Sequence, residues 1–462
     1  MNKYRIEQDS LGSMQVPEEA LYGAQTARAI DNFPISGIPL PRPMLRALGL
    51  IKKYAARTNQ NLGLLSAETA DAISRAAAEV VEGKLDDQFP VDIFQTGSGT
   101  SSNMNTNEVI ANRAARLLGQ PLGGKSIHPN DHVNLGQSSN DVFPSAMYIA
   151  CSEQLQQNLL PALEQLLQQL AEKSEEFKDV LKIGRTHLQD ATPIKLGQVF
   201  SGYARQVELA HERLSNNSSG LYELPLGGTA VGTGINTHPD FAAGTIAAIA
   251  NETALPFREA SNHFEAQGAK DALIATSGSL KGCAISLFKI ANDIRFLASG
   301  PRCGIGELIL PTVQPGSSIM PGKINPVMAE SLMQVCAQVV GNDATVALCG
   351  LSGNFELNVM MPVMGYNILQ SIELLSNGIK AFDDKCLTGL QADEKRCADL
   401  LEQSLALVTA LVPEIGYDRA ANLAKQAHKT GKTLRELALI DGVDAEMLDK
   451  LLDPALMTEP KS

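Results

Sequence analysis

A glycine- and proline-rich segment, QPGSSIMPGKINP, carries residues that could hold or react with an anion. It contains the hydroxyls of Ser317 and Ser318, and it ends on Lys323, Asn325 and Pro326. Asn325 suits the N-cap of a helix, and Pro326 suits its first position. The positive end of that helix and the charge of Lys323 together favour a carboxylate, above all one that gains negative charge. A simple cap and a solvated lysine would explain Asn325 and Lys323 separately, but the whole segment indicates a functional loop.

Two uncharged polar segments could recognise carboxylates through hydroxyl and amide donors. In TGSGTSSN, glycines allow close approach of the backbone, and Ser98 and Thr100 stand where a helix is expected to begin. The triplet SSN at 138–140 is a similar patch. Helix capping explains either segment as well: a redundant set of caps for the first, and the N-cap of a helix after Pro144 for the second. Both interpretations stay open at this point.

A further polar segment, HPNDH, could suggest a metal site because it contains His128, Asp131 and His132. Pro129 lies between the two histidines, and the Asn and Asp beside it favour a turn over a helix that would present both imidazoles on one face. The seven cysteines are scattered and include no CxxC pair, which disfavours zinc, iron–sulfur and disulfide frameworks. We therefore expect no metal, and we expect reduced thiols.

His187 is the histidine whose neighbours best suit proton transfer. It lies in a polar stretch between two helical patterns, beside Thr186 and Gln189, and imidazole titrates near neutral pH. A single histidine is often structural, but these neighbours favour function. A carboxylate would fix the tautomer of His187, and Glu330, one turn beyond the loop with Lys323, is the candidate partner.

Helical periodicity dominates the elements that must position these groups. Apolar residues make up 44% of the chain and aromatic residues only 5%, which suits packed helices better than a β-sandwich or barrel. An irregular arm is expected over residues 5–27. Helical patterns then cover about 43–62, 67–82, a stretch ending near Gly119, 152–180, 271–297, the residues after Pro326, and 359–381. We predict an all-α fold in three parts: an N-terminal helical domain (1–136), a central long-helix bundle (137–391) and a small C-terminal helical domain (392–462).

The composition also excludes some partners. Lys and Arg number 38 against 51 Asp and Glu, a formal charge of −13, which disfavours coating of nucleic acid or of an anionic membrane. No uncharged apolar run reaches the ~18 residues of a membrane span, and the first residues carry no signal core or Arg-rich leader. We expect a cytoplasmic protein without membrane or nucleic-acid partners, whose positive field is confined to one cleft.

The polar segments together resemble the class II fumarases of the fumarase/aspartase superfamily. GSSIMPGKINP resembles the superfamily signature, and the similarity runs from RIEQDS near the N-terminus to GYDRAA at 416–421. Aspartate ammonia-lyases also resemble the chain, but they usually carry Gln at the place of His187 and Ala at that of Gly322, and tend to carry Thr at that of Ser139. Argininosuccinate and adenylosuccinate lyases share the fold without HPND and TGSGT in this form. Two alternatives remain: an aspartate ammonia-lyase, and a non-catalytic helical homologue.

The resemblance implies a lyase that adds water reversibly and stereospecifically to fumarate, a reaction of the tricarboxylic acid cycle. The product is (S)-malate, and the intermediate is an aci-carboxylate. The resemblance further implies no metal or organic cofactor, and a small dicarboxylate as the partner. It also implies a homotetramer that pools its long helices in one core and builds each active site from three chains.

The resemblance also assigns roles to individual residues. It implies that Ser317 takes the proton from C3 of malate, while Lys323 and Asn325 hold the carboxylate that gains charge. His187, paired with Glu330, would polarise the water or protonate the departing hydroxyl. The residues implied to bind substrate are Ser98, Gly99, Thr100, Ser138, Ser139, Asn140, Thr186, Ser318, Lys323, Ile324 and Asn325. The residues implied to form a second anion site near the entrance are Lys125, His128, Pro129, Asn130 and Asp131.

Overall fold

Helices account for most of residues 3–460, the part of the chain that the computed structural model describes, and the predicted all-α fold is confirmed. The helices are α1 (Ala24–Asn32), α2 (Arg42–Asn61), α3 (Ala67–Val81), α4 (Thr100–Leu117), α5 (Ser139–Gln154), α6 (Leu160–Glu176), α7 (Leu196–Ser218), α8 (Phe241–Thr253), α9 (His263–Gly268), α10 (Asp271–Leu297), α11 (Val327–Gly350), α12 (Met361–Phe382), α13 (Glu394–Glu402), α14 (Val412–Ile415), α15 (Tyr417–Thr430), α16 (Leu434–Ile440) and α17 (Ala445–Leu451).

The strands are short and form two-stranded pairs. They are β1 (Tyr4–Asp9), β2 (Gly12–Pro17), β3 (Leu181–Thr186), β4 (Gln189–Lys195), β5 (Glu223–Leu224), β6 (Arg258–Glu259), β7 (Leu308–Ile309), β8 (Gly353–Asn354), β9 (Leu357–Asn358) and β10 (Gln391–Ala392). The pairs β1–β2, β3–β4, β7–β10 and β8–β9 are antiparallel, and β5–β6 is parallel. They join or brace helices and form no larger sheet within the described residues.

The expectation of an irregular arm over residues 5–27 is wrong, because β1 and β2 form a hairpin there and α1 follows. The guanidinium of Arg5 explains this order. It donates at 2.7–2.9 Å to the backbone carbonyls of Pro17, Glu18, Ala20 and Tyr22. One charged side chain thus ties the start of the arm to its end, which the composition of the segment does not reveal.

The described chain divides into two units. The first comprises residues 3–161, 212–284 and 337–376, and the second comprises 162–211, 285–336 and 377–460. Each unit is described by itself below. The three consecutive domains expected from the sequence, 1–136, 137–391 and 392–462, stay a prediction.

In the first unit, α2 packs on α3, α5 and α8, and α3 packs on α4. α5 is buried from Asp141 to Glu153, so it forms the centre of this packing. The expectation that this helix begins after Pro144 is wrong, because α5 begins at Ser139 and contains Pro144. A capping box at Ser138 starts the helix there, so Pro144 lies inside it.

In the second unit, the short C-terminal helices enclose an apolar cluster. Ile183 of β3 packs in the same cluster, so the β3–β4 hairpin is anchored on the C-terminal helices. The members from these helices and their connections include Leu401, Leu411, Leu423, Leu434, Leu437 and Leu448. The hairpin is thereby held at its base while its turn stays exposed.

Two helices, α10 and α11, are long and apolar enough to cross a membrane by length and composition. Their most apolar stretches are 50% and 39% buried within the single chain. Each helix also carries a charge in its middle, and the two charges pair: Lys281 Nζ lies 2.6 Å from Asp343 Oδ2. These two charges interrupt the apolar runs, so neither helix contains the uncharged run of a membrane span. Core helices of soluble proteins have the same length and composition.

Candidate active site

The N-termini of α4 and α5 meet in the first unit, and three hydroxyls connect them. Ser98 Oγ lies 2.7 Å from Thr100 Oγ1, which in turn lies 2.7 Å from Ser139 Oγ. The first turn of a helix has unpaired N–H groups and a partial positive charge. The structure thus brings Ser98, Thr100 and Ser139 together where two helix ends favour an anion.

Gly99 permits this approach of the two helices. It precedes α4 with φ of +74°, and a Cβ at this position would lie 2.2 Å from the ring of Phe143. Phe143 belongs to α5 and is fully buried, so the ring has no room to withdraw. Any larger residue at position 99 would push the two helix ends apart.

Ser138 and Asp141 fix the start of α5. Ser138 Oγ accepts the N–H of Asn140 at 3.2 Å, and Asp141 Oδ1 accepts the N–H of Ser138 at 2.9 Å. The other carboxylate oxygen of Asp141 accepts the N–H groups of Gly227 and Thr229 at 2.9 and 3.0 Å. Burial raises the pKa of Asp141, and these donors oppose the rise. The capping interpretation is confirmed for Ser138, but the helix that it caps begins at Ser139 and not after Pro144.

Four of the five residues predicted for the second anion site line one cavity of about 230 Å³ in the first unit. His128 Nδ1 accepts the N–H groups of Asn130 and Asp131 at 3.3 and 3.1 Å. In the neutral ring the proton therefore sits on Nε2, which is left as a donor. Asp131 is the exception, with a side chain that is 77% exposed. The four lining residues are Lys125, His128, Pro129 and Asn130.

Three carboxylates also line this cavity, and each already has partners. Glu7 and Asp9 pair with arginines at 2.6 and 2.9 Å, and the hydrogen bond from its arginine lowers the pKa of Asp9. Glu108 accepts three backbone N–H groups and one hydroxyl, while burial raises its pKa. The arginines offset the charges of Glu7 and Asp9, and neutral donors hold Glu108. Lys125 Nζ donates to the carbonyl of Gln8 at 3.2 Å, and His128 Nδ1 lies 3.2 Å from Asp131 Oδ2.

The signature loop QPGSSIMPGKINP closes on itself in the second unit. The N–H of Gly316 donates to the carbonyl of Lys323 at 2.9 Å, and Asn325 Nδ2 donates to the carbonyl of Gly316 at 2.7 Å. A Cβ on Gly316 would lie 2.3 Å from the carbonyl oxygen of Lys323. Only glycine allows the two ends of the loop to come this close.

The expected N-cap at Asn325 is wrong by one residue. α11 begins at Val327, and the carbonyl of Pro326 accepts the first helical hydrogen bond, from Glu330 at 3.1 Å. The side chain of Asn325 closes the loop instead of capping the helix. Its conformation is thereby fixed at the positive end of α11.

Ser317 lies in this loop with two donors aimed at its oxygen. Ser317 Oγ accepts the backbone N–H groups of Ile319 and Met320 at 3.2 and 3.1 Å. Such donors stabilise negative charge that develops on the oxygen. The side chain of Lys323 has no hydrogen-bond or ion-pair partner among residues 3–460, and it is exposed, as are Ser318 and Ile324. The loop therefore presents a base with its stabilising donors and an available cation.

His187 and Leu188 form the two-residue turn of the β3–β4 hairpin. The sequence predicted only a polar stretch between two helical patterns here. The φ angles of His187 and Leu188 are +56° and +61°, and Thr186 pairs with Gln189 across the strand ends. A left-handed backbone costs about 1–2 kcal/mol at each residue that has a side chain. Such strain is concentrated at functional sites. The turn leaves Thr186, His187 and Leu188 exposed.

A buried ion cluster, which the sequence analysis missed, supports this hairpin. Arg185 makes two hydrogen bonds to the carboxylate of Glu307, at 2.9 and 3.0 Å. Lys182 lies 3.2 Å from the same carboxylate, which is fully buried. Burial lowers the pKa of Lys182, and Glu307 opposes this shift. Charged residues in an otherwise apolar strand were the available signal, but nothing in the sequence links position 307 to the hairpin.

The predicted pair of His187 and Glu330 is not formed within the single chain. Among residues 3–460, neither side chain has a hydrogen-bond or ion-pair partner. The resemblance implies sites built from three chains, so the two residues of this pair would come from different chains. The pairing therefore stays a prediction. The structure thus brings together Ser98, Thr100 and Ser139 in the first unit, and the residues of the signature loop in the second.

No group of three or more His, Cys, Asp or Glu side chains is placed to hold a metal ion in the described part of the chain. The HPNDH segment forms a π-helical turn over Pro129–Val133. His132 Nδ1 accepts the N–H of His128 at 2.9 Å, and His128 Nδ1 accepts two further N–H groups. The Nδ1 atoms of His128 and His132 thus each accept backbone N–H groups.

Two family profiles match the sequence. Residues 12–341 match the profile described as lyase, which covers more than half of the chain. Residues 407–459 match the profile described as fumarase C C-terminus. The first match includes the predicted site residues, and the second includes the helices α14 to α17.

Individual relatives are similar over the whole chain. Fumarate hydratase class II of Halobacterium salinarum is 56% identical, over 98% of this chain and 97% of the relative. Fumarate hydratase class II of Halalkalibacterium halodurans is 53% identical, over 99% of both. The crystal structure of recombinant class II fumarase from Schistosoma mansoni matches with a TM-score of 0.96 and 41% identity, over 100% of both chains.

Proposed function

The chain belongs to the class II fumarase family of lyases, and from this we propose that it hydrates fumarate reversibly and stereospecifically to (S)-malate. Beyond this membership, the observation that supports the chemistry most directly is the signature loop. It presents the oxygen of Ser317 to two backbone N–H donors and carries the exposed side chain of Lys323 in the same loop.

In the direction of dehydration, Ser317 takes the proton from C3 of malate. The electrons of the broken C–H bond move into the adjacent carboxylate, which becomes an aci-carboxylate, so a dianion becomes in effect a trianion. Serine is a weak base unless its alkoxide is stabilised. The N–H groups of Ile319 and Met320 supply that stabilisation, at 3.2 and 3.1 Å from Oγ.

The charge that develops on the substrate is held by Lys323 and Asn325. The hydrogen bond from Asn325 to Gly316 fixes this residue at the positive end of α11. Fixed donors and charges of this kind need no reorganisation during the reaction, which is why they lower the barrier. Thr186, Ser318 and Ile324 complete the contacts that we propose from the second unit.

The substrate carboxylates are also bound where α4 and α5 begin. The hydroxyls of Ser98, Thr100 and Ser139 form a chain there, at separations of 2.7 Å. Two helix N-termini attract an anion without adding a full charge. Gly99, Ser138 and Asn140 shape this pocket through the backbone and through the start of α5. Because the family resemblance implies sites made from three chains, the segments of one chain contribute to different sites.

The oxygen of malate leaves on the side of His187. We propose that His187 delivers a proton to the departing hydroxyl, directly or through a bound water, so that water and fumarate are the products. Glu330 of another chain would hold the protonated imidazole and fix its orientation. The strained turn at His187 and Leu188 supports this assignment, because it leaves His187 exposed at the tip of the hairpin.

The cavity lined by Lys125, His128, Pro129 and Asn130 is proposed as the second anion site, with Asp131 at its rim. The donor at His128 Nε2 and the cation of Lys125 suit a carboxylate. Of the three carboxylates that line the cavity, Glu7 and Asp9 pair with arginines, and Glu108 is held by backbone N–H groups and a hydroxyl.

We propose a homotetramer whose core contains α10, α11 and α12. In the single chain, apolar side chains of α10 and α11 are exposed, including Ile285, Val340 and Leu348 at 57%, 40% and 65%. Apolar surface of this extent on long helices requires a partner. Sedimentation of the purified chain at micromolar concentration should give the mass of four chains, and a stable monomer would contradict the proposal.

The cytoplasm is the location that we propose, without membrane or nucleic-acid partners. The net charge of −13 supports this, as does the assignment of α10 and α11 to the core of the tetramer. After cell lysis and high-speed centrifugation, the protein should remain in the supernatant in low salt. Recovery in the membrane pellet would contradict the location.

The activity is tested by supplying (S)-malate and L-aspartate separately and following the absorbance of fumarate. We expect fumarate from malate only, without added metal or cofactor. Formation of fumarate from aspartate alone would identify an ammonia-lyase instead, and formation from neither would refute the proposed activity.

A further inference from the structure

A buried lysine of the first unit, Lys52 of α2, has no part in the chemistry described above. Its Nζ donates to Asn134 Oδ1 at 2.8 Å and to Gln137 Oε1 at 2.9 Å. The whole residue is inaccessible to solvent. Burial of an ammonium is costly, and both acceptors are neutral amides. An apolar residue would fill the same space of the core at a lower cost, so the position needs another explanation.

The two acceptors, Asn134 and Gln137, frame the turn that joins two anion-binding segments. Asn134 directly follows the π-helical turn Pro129–Val133, which belongs to the second anion site. Gln137 directly precedes Ser138, which starts α5. Asn134 Nδ2 also donates to the carbonyl of Gln137 at 3.1 Å. The geometry of this turn sets the direction in which both segments point.

A third anion-binding segment reaches the same point through Asn103. Asn103 lies on α4, three residues after Thr100, and its Nδ2 donates to Asn134 Oδ1 at 3.3 Å. Asn134 Oδ1 therefore accepts from both Asn103 and Lys52. The start of α4, the start of α5 and the HPNDH turn are all connected to one ammonium.

The charge of Lys52 responds to its surroundings. Burial lowers the pKa of Lys52 to about 7, and the carboxylate of Asp141 on α5 opposes this shift. Asp141 itself accepts three backbone N–H groups and does not contact the ammonium. An anion bound nearby adds negative charge and therefore favours the protonated form of Lys52.

We propose that Lys52 is a positioning residue for substrate binding, which holds residues 98–100, 128–131 and 138–140 in one arrangement and adds positive potential behind them. The proposal rests on the proposed function, because it takes these three segments as the ones that bind the dicarboxylate. Lys52 does not touch the substrate. It acts through Asn134, Gln137 and Asn103.

The test compares Lys52→Met and Lys52→Gln with the wild-type protein. We expect Lys52→Met to raise the KM for malate and the dissociation constant of succinate, a non-reacting dicarboxylate, by about tenfold. The kcat should change less, by about threefold or under, because Ser317 and His187 are not attached to this network. Lys52→Gln retains an amide donor and should show a smaller rise in both constants.

Lys53→Met is the matched control on the same helix. Lys53 pairs with Glu252 at the surface and makes no hydrogen bond to the network of Asn134 and Gln137. The variant Lys53→Met also removes one positive charge. It therefore distinguishes the effect of the buried position of Lys52 from the effect of the protein's net charge. Its KM and succinate affinity should stay within about twofold of the wild type.

A folded Lys52→Met protein with unchanged KM and unchanged succinate affinity would overturn the proposal and leave Lys52 a core residue only. If Lys52→Met does not fold, Lys52→Gln and Gln137→Met decide, because each removes only part of the network. Wild-type constants in both would overturn the proposal as well. Succinate binding is measured by calorimetry and needs no turnover, so a wild type that binds succinate but does not convert malate would refute the proposed function and not this inference.

Discussion

Gly316→Ala tests whether the closed signature loop creates the activity. The added Cβ would lie 2.3 Å from the carbonyl oxygen of Lys323, 2.9 Å from its carbonyl carbon and 3.1 Å from the nitrogen of Asn325. All three are backbone atoms, so no side chain can swing away. Ordinary contact begins at 3.4 Å, and the two ends of the loop must therefore separate by about 1 Å. The hydrogen bond between Gly316 and Lys323 is lost with that movement.

The separation moves Lys323 and Asn325 relative to Ser317, because both follow directly after the point of contact. A misplacement of about 1 Å costs roughly 100-fold in rate, or about 2.7 kcal/mol of barrier. We expect this loss in kcat, measured by fumarate absorbance with saturating malate. The melting temperature should change little, because the loop is exposed and adds little to the core of its unit.

Gly322→Ala is the matched comparison in the same loop. Gly322 has φ of +79° but no atom within 4 Å of an added Cβ, so the variant adds backbone strain without a clash. Its kcat should fall by less than about tenfold. A Gly316→Ala protein that keeps the wild-type kcat would refute the reasoning, and so would a Gly322→Ala protein that loses as much.

Three further predictions concern charges. Lys323→Met removes the cation of the signature loop, and kcat should fall by roughly 10²–10³-fold in the same absorbance assay; a loss under about threefold would contradict the role. Glu307→Gln leaves Arg185 and Lys182 without their carboxylate, so denaturant titration should show a loss of about 3 kcal/mol or more in unfolding free energy, and an unchanged midpoint would count against the buried cluster. Burial sets the pKa of Lys52 at about 7, below the 10.5 of an exposed lysine. The unfolded chain then binds more protons between these values, so this residue makes the protein more stable as the pH rises from 7 to 9, by roughly 2 kcal/mol. Lys52→Met should lose that rise in denaturant titrations at the two pH values, and an identical rise in both proteins would contradict the shift.

The long helices were predictable from the spacing of apolar residues alone. The patterns at 43–62, 67–82 and 271–297 agree with α2, α3 and α10 within one residue at each end. These helices bury one face against neighbours, and burial of a face imposes the period of 3.6 residues on the sequence. The same physical reason makes the pattern visible without any structure.

The β3–β4 hairpin was not predictable in the same way. Two-residue hairpin turns usually contain Asn-Gly or another glycine, because these residues adopt positive φ easily. Here His187 and Leu188 occupy those positions. The ion cluster of Glu307 and the apolar cluster around Ile183 stabilise the strands and so offset the strain of the turn. A turn that is held by distant residues leaves no local signal.

The residues of the candidate site also differ in whether the local sequence reveals them. Residues that act by type and spacing, such as Ser317 and Lys323, stand out in the sequence. The role of Lys52 does not stand out in this way. Its position on the buried stripe of Leu45 and Leu48 on α2 shows only that a charged residue lies where an apolar one is expected. Which amides it meets depends on how α2 packs on α4 and α5, and periodicity does not contain that information.

The central claim, that Ser317 removes the proton from C3 of malate, is tested most directly by Ser317→Ala in deuterium oxide. We expect kcat to fall by roughly 10²–10⁴-fold, with substrate binding largely retained. The incorporation of solvent deuterium at C3 should fall by the same factor, while Ser318→Ala retains far more of both. Undiminished turnover and exchange in Ser317→Ala would contradict the account.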